Sequence, residues 1–155
     1  ENPFDFSLQY NPASGIDRMR VGTPPVIALA ALEASLDIWE TVNIKDVRET
    51  SIQLTDQFIK GVEQKCPMLQ LITPRIPENR GSQVSFSFKH GYAVMQACIE
   101  RGVIGDFRAP DVMRFGFTPL FVDSQDVERA SEILAEIMSK DLWNDPKFQK
   151  RNKVT

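Results

Sequence analysis

The sequence predicts an α+β domain, a small sheet with helices on one side, preceded by an extended arm and a long apolar helix. Three observations carry this. Residues 82–88 (SQVSFSF) place Val84, Phe86 and Phe88 on one face and Gln83, Ser85 and Ser87 on the other, the two-residue period of a half-buried strand. Residues 112–117 (VMRFGF) repeat that alternation with Met113, Phe115 and Phe117. From Ser124 to Ser139 the period changes to that of a helix, with Val127, Ala130, Leu134 and Ile137 on one side.

Taken in order, residues 1–22 are rich in Pro, Asn, Ser and Gly and carry Phe4, Phe6 and Tyr10 without a period, which reads as an extended arm that needs a surface to lie on. Thr23-Pro24-Pro25 then starts a helix through VIALAALEASLDIWETV. Threonine is a good N-cap and proline has the backbone angle of a first helical residue. Its apolar residues lie nearly all round, with only Glu33, Asp37 and Glu40 as a polar stripe, so the helix is expected to be buried on most sides. A second helix is expected from Ile44 to Glu63, capped by Asn43 and stopped by Cys66-Pro67. A short strand at 68–73 and a loop at 74–81 precede the alternating strand. The third helix, 92–101, ends at Gly102, the residue suited to a left-handed C-cap. Strands at 103–107 and 112–117, joined by the turn Arg108-Ala109-Pro110-Asp111, lead to the last helix, with Ser124 as its cap. Residues 1–42 thus form an arm and linking helix, and 43–155 the small domain.

Composition narrows the function. The 155 residues are 42% hydrophobic and 25% charged, and 18 Lys+Arg against 21 Asp+Glu leave a net charge of −3, without the basic excess that holds a phosphate backbone. Nucleic acid is therefore not an expected partner. Cys66 and Cys98 form no metal-binding pair and one histidine builds no metal site, so neither zinc nor a disulfide is expected, and the setting reads as reducing and cytoplasmic. The longest apolar stretch is broken by Glu33 well short of the roughly 18 residues of a bilayer span, so no membrane is expected.

Two positions carry candidate chemistry. Arg114 shares its strand face with Gly116 and Thr118, small neighbours that leave room beside a planar, permanently charged fork suited to a carboxylate. The alternative is an arginine that pairs with an acidic residue of its own sheet. Thr23, after Gly22 and at a helix start, is a candidate anion contact, although Pro24 and Pro25 remove the first two backbone donors; the alternative is a plain cap. His90 reads as a solvated loop residue, Cys66 and Cys98 as inert, Asp106 and Arg108 as a turn-organising pair, and Lys147, Lys150, Arg151 and Lys153 as a solvated end.

At this point GTPPVIALAALEASLDIW, LITPRIPENRGSQVSFSF and above all RGVIGDFRAPDVMRFGFTPLF resemble the C-terminal part of bacterial kynureninases, and the resemblance runs on into FQKRNKVT, covering essentially the whole chain. It implies the small C-terminal domain of a fold-type I pyridoxal-phosphate enzyme, homodimeric, hydrolysing L-kynurenine to anthranilate and L-alanine. It also implies roles: Arg114 matches the arginine that holds the substrate α-carboxylate, and Thr23 matches the residue contacting the cofactor phosphate of the other subunit. The family's Schiff-base lysine lies upstream of the matching region, and none of the eight lysines here stands in its context, so this chain alone is expected to be inactive. Related enzymes of that fold, such as cysteine desulfurases or phosphoserine aminotransferases, resemble the 101–121 run far less. A non-catalytic ligand-sensing or dimerisation module is the alternative of another class.

Overall fold

A computed structural model describes residues 4–20 and 22–150, and the chain divides into two compact units, Glu1–Asn43 and Ile44–Thr155. In the first, a 3-10 turn at Gly15–Met19 precedes helix α1, Val26–Trp39. Its start corrects the expected cap: the N-cap position is Pro25, not Thr23. A residue preceding proline is pushed out of the helical region, and two consecutive prolines push out both Thr23 and Pro24, so the helix begins only after the second. The expected burial also fails within this chain. No residue of α1 is buried, and Leu29, Leu32 and Leu36 stay about half exposed. Ala and Leu form helix well without help, so the helix exists although its apolar surface has no cover here.

The second unit is built on helix α2, Ile44–Lys65, which buries Leu54, Phe58 and Val62 from one face. It stops where Cys66 precedes Pro67, and the Cys66 N–H closes the last turn on the Val62 carbonyl at 2.7 Å. The strand expected over 68–73 shrinks to β1, Gln70–Leu71. Pro74 has no N–H to continue a ladder, and Thr73 accepts the Ser85 N–H on its side-chain hydroxyl at 2.8 Å instead of on its backbone. After a turn at Pro77–Asn79 come β2, Gln83–Ser87, and helix α3, Gly91–Glu100, and Gly102 beyond it has the left-handed φ of +85° that its sequence position implies.

Strand β3 covers only Asp106–Arg108, and β4 runs Val112–Gly116. The expected start at Val103 is lost because the chain must first press close against its neighbours: a Cβ on Gly105 would lie 2.7 Å from both the Arg114 carbonyl oxygen and Met95 Cε. Helix α4, Ser124–Ser139, has the expected span but a different cap. Asp123 accepts the N–H of Gln125 and Asp126 at 2.8 and 3.0 Å, and the Asp126 carboxylate accepts the Asp123 N–H at 3.1 Å. This reciprocal box leaves Ser124 to donate its hydroxyl to Gln57 at 2.9 Å. A turn at Leu142–Asn144 and the short α5, Pro146–Gln149, bury Phe148. Lys147, expected in solvent, pairs with Glu100 at 2.8 Å, while Arg151 and Lys153 lie outside the described residues.

All strand pairs are antiparallel and the order is β1-β2-β4-β3. Val84 opposes Phe115 and Phe86 opposes Met113 on the core face, where the Phe58 ring of α2 meets Phe86, Phe115 and Phe117 at centroid distances of 6.2, 5.0 and 5.2 Å. With α2 and α3 on that face, the opposite face is left to Ser85, Ser87, Arg114 and the β3 residues beside them. Among the described residues no helix is long and apolar enough to cross a membrane, and none of the His, Cys, Asp and Glu side chains group into a metal-binding cluster.

Candidate functional site

The chemistry of the sheet face opposite the core follows from the register. In the β3–β4 hairpin Asp106 stands directly opposite Arg114 and Arg108 opposite Val112. Arg114 Nε donates to Asp106 Oδ1 at 2.8 Å and Nη2 donates to Oδ2, a two-bonded fork along the side edge of the guanidinium. Arg108 reaches the same carboxylate only at 3.4 Å. The expected turn-organising pair of Asp106 and Arg108 is thus corrected: the principal partner of Asp106 is Arg114, because cross-strand neighbours in a hairpin meet head-on while residues two apart on one strand only lie side by side. The signal was present in the sequence, since a hairpin turning about Pro110 pairs 106 with 114, but it becomes visible only when the register is drawn.

The Arg114 side chain is 29% exposed, and no hydrogen bond reaches its Nη1 among the described residues. Next to it on the same face, a Cβ placed on Gly116 would meet nothing within 4 Å. The guanidinium is thus bonded along one edge only, and the space over Gly116 beside it is open. Its neighbours on β2 are neutral, Ser85 opposite and Ser87 two residues on, and Ser87 donates its hydroxyl to Asp111 at 2.6 Å. Two cations and one carboxylate leave the Arg108–Asp106–Arg114 group at net positive charge. The hydrogen bond from Arg114 holds the Asp106 carboxyl below the ordinary aspartate range, so this distribution is stable at neutral pH.

Thr23 is exposed and makes no side-chain hydrogen bond among the described residues, so its hydroxyl is not used as a cap. It belongs to the first unit and Arg114 to the second. His90 is not the solvated residue expected from its turn: it occupies the N-cap position of α3 and its ring stacks on Trp143 at 4.6 Å. The signal missed there was Trp143, which needs a flat partner. Cys66 and Cys98 are buried and unpaired, and burial pushes their thiols up to about 11 and about 12, which removes thiolate reactivity at neutral pH. A cleft of about 460 Å³, lined by Arg101, Ile104, Gly116, Phe117, Phe121 and Arg129 among others, reaches Gly116 but includes neither Arg114 nor Asp106.

Sequence reading also passed over Arg80. Its side chain is 1% exposed, ion-paired to Asp56 and hydrogen-bonded to the Arg75 carbonyl, with longer bonds to Thr55 at 3.3 Å and the Pro74 carbonyl at 3.4 Å. Arg48 donates to the Arg80 carbonyl at 2.9 Å. Together they pin the 74–80 loop to α2, a structural role.

Comparison with known proteins agrees with the sequence resemblance. A family model described as kynureninase C-terminal domain matches residues 47–134. Kynureninase of Pseudomonas fluorescens is 46% identical over 154 residues, 98% of this chain and 37% of that protein. Kynureninase of Burkholderia mallei (strain SAVP1) is 43% identical over 155 residues, 99% of this chain and 37% of that protein. The chain thus spans a little over a third of the length of these curated relatives. Among solved structures, a NifS-like protein superposes with a TM-score of 0.63 at 17% identity, covering 88% of this chain and 41% of that one, which shows a shared fold. With the family model spanning more than half of the sequence and relatives at 43–46% identity over nearly all of it, this chain belongs to the kynureninase family and carries its C-terminal domain.

Proposed function

We propose that this chain is the C-terminal part of a pyridoxal-phosphate-dependent kynureninase, in which Arg114 binds the α-carboxylate of L-kynurenine and Thr23 contacts the cofactor phosphate. The observation that carries the reading is Arg114 itself, bonded along one edge by Asp106, without a hydrogen bond at Nη1 among the described residues and beside the open space over Gly116. A guanidinium so placed takes a planar carboxylate by two parallel bonds, and a substrate held at that point has a fixed orientation about its α-carbon. Thr23 fits a phosphate oxygen by chemistry: it is an exposed hydroxyl shortly before the start of α1.

In this reading residues 1–42 are an arm and linking helix that lie on the larger cofactor domain, which accounts for the exposed apolar surface of α1. Residues 43–155 are the small domain. The enzyme is a cytoplasmic homodimer with the cofactor near the subunit interface, so that Thr23 serves the partner's cofactor. When bound, pyridoxal phosphate supplies the electron sink for cleaving L-kynurenine to anthranilate and L-alanine. The chain's own contribution is to hold the carboxylate and one phosphate oxygen and to shape the approach.

The test is release of anthranilate from L-kynurenine by the full-length enzyme carrying this segment, beside the 155-residue chain alone. Release by the first and none by the second is expected. A cofactor-loaded full-length enzyme that releases no anthranilate overturns the reading. Thr23→Val in that enzyme removes one hydrogen bond to a charged group, about 1.5 to 3 kcal/mol, and should weaken cofactor affinity correspondingly. An unchanged dissociation constant would reduce Thr23 to a spacer before the helix.

A further inference from the structure

Resting on the reading of Arg114 as carboxylate anchor, we infer that Asp106 is the positioning residue that makes it one: it grips the side edge of the guanidinium and thereby aims the end edge at the ligand. The argument is geometric. A guanidinium has two edges that each accept a carboxylate bidentately, one formed by Nε and Nη2 and the other by Nη1 and Nη2. Asp106 uses the first, through Nε to Oδ1 at 2.8 Å and Nη2 to Oδ2, and the second has no hydrogen-bond partner at Nη1 among the described residues. An arginine side chain otherwise turns about several bonds, and freezing it costs rotamer entropy at the moment of binding. A side-edge partner removes that freedom in advance.

Asp106 suits this role better than that of a competitor that ligand must displace. It is carried on β3 directly opposite Arg114, so ladder hydrogen bonds and register fix its backbone, and no loop motion is available to withdraw it. The approach of the two strands is enforced beside it by Gly105, where any side chain would collide with the Arg114 carbonyl at 2.7 Å. A competitor would hold the end edge; Asp106 does not. Arg108 lies 3.4 Å from the same carboxylate and offsets part of its charge, so gripping Arg114 does not cancel the attraction for an incoming anion.

The experiment compares L-kynurenine with its α-carboxamide, in the full-length enzyme and its Asp106→Asn and Arg114→Ala variants. Asparagine keeps the size but loses the second acceptor and the charge. For Asp106→Asn, KM for the carboxylate substrate should rise by roughly tenfold or more with kcat moved much less, and handling of the carboxamide should be unchanged. A merely structural loss would move both substrates together. In the 155-residue chain, the Arg114 Nε–H resonance should be shifted and protected from exchange, and Asp106→Asn should abolish both signatures. If Arg114→Ala impairs the carboxylate substrate while Asp106→Asn leaves KM unchanged or lowers it, the positioning role is overturned and the anchor stands. If Arg114→Ala also has no effect, the anchor itself is overturned.

Discussion

Arg80 and Arg114 are two arginines in one domain, each facing one aspartate, and their surroundings assign them opposite work. Arg80 has 1% of its side chain exposed, and its terminal nitrogens are used by Asp56, Thr55 and the carbonyls of Pro74 and Arg75. Only Nε lacks a partner. Arg114 is 29% exposed and bound along one edge by one residue. A guanidinium whose terminal nitrogens are taken up by its own chain is a clamp; one held on a single edge is, in the reading proposed above, a receptor. The aspartate is therefore not the distinguishing feature, although an ion-pair search alone would rank the two as equals.

The largest expected effect breaks the comparison at Arg114. In the full-length enzyme, on the reading proposed above, Arg114→Ala leaves the substrate carboxylate unpaired, and kcat/KM for L-kynurenine should fall by about two to three and a half orders of magnitude. Thermal stability should shift little, because the pair lost is a surface one and Met113 and Phe115 carry the core face of the strand. Kinetics within a few-fold of the parent would make Arg114 a second Arg80. The converse substitution comes next. Arg80→Ala in the 155-residue chain strands buried carbonyls and should lower unfolding free energy by about 2 to 4 kcal/mol, read from denaturant midpoints at constant slope. A loss below about 0.5 kcal/mol would show that the 74–80 loop needs no clamp.

The smallest effect sharpens the contrast by pH. The hydrogen bond from Arg114 holds the Asp106 carboxyl below its ordinary 3.8, so this pair stabilises the fold above that value and its contribution is lost as pH falls through the lower folded value. On acidification from about pH 5 to about pH 2, exchange protection of the Arg114 Nε–H should persist through 3.8 and then disappear. The carbonyls of Pro74 and Arg75 do not protonate in that range, so the Arg80 Nη1 group that donates to them should keep its protection while the fold lasts. Loss of both together would mean that global unfolding, not the pair, was being read.

Half of the site was legible before the fold. Alternation in 112–117 put Arg114 on the face opposite Met113, Phe115 and Phe117, and the structure keeps it there, because side-chain direction on a strand has a local period. Asp106 was visible only as a neighbour of Arg108, since its role depends on which strand lies beside which. Thr23 and Ser124 show a finer limit. Both stand where a cap could be, and both were displaced, by two prolines in one case and by Asp123 with Asp126 in the other. Capping is decided by backbone angles over three or four residues, which composition locates only to within a residue or two.

What the sequence by itself determined is the existence of the four longer helices and four strands, the core faces of the small domain and the left-handed turn at Gly102, all consequences of side-chain period and local backbone sterics. Family membership was legible as well, because long motifs such as GDFRAPDVMRFGFTPLF survive as strings. The tertiary structure alone decided the strand order β1-β2-β4-β3, the burial of Arg80, the stacking of His90 on Trp143 and the grip of Asp106 on Arg114. Each joins residues whose meeting depends on how elements pack or pair. Such a contact is settled by the free energy of the whole packed unit, which no local period encodes.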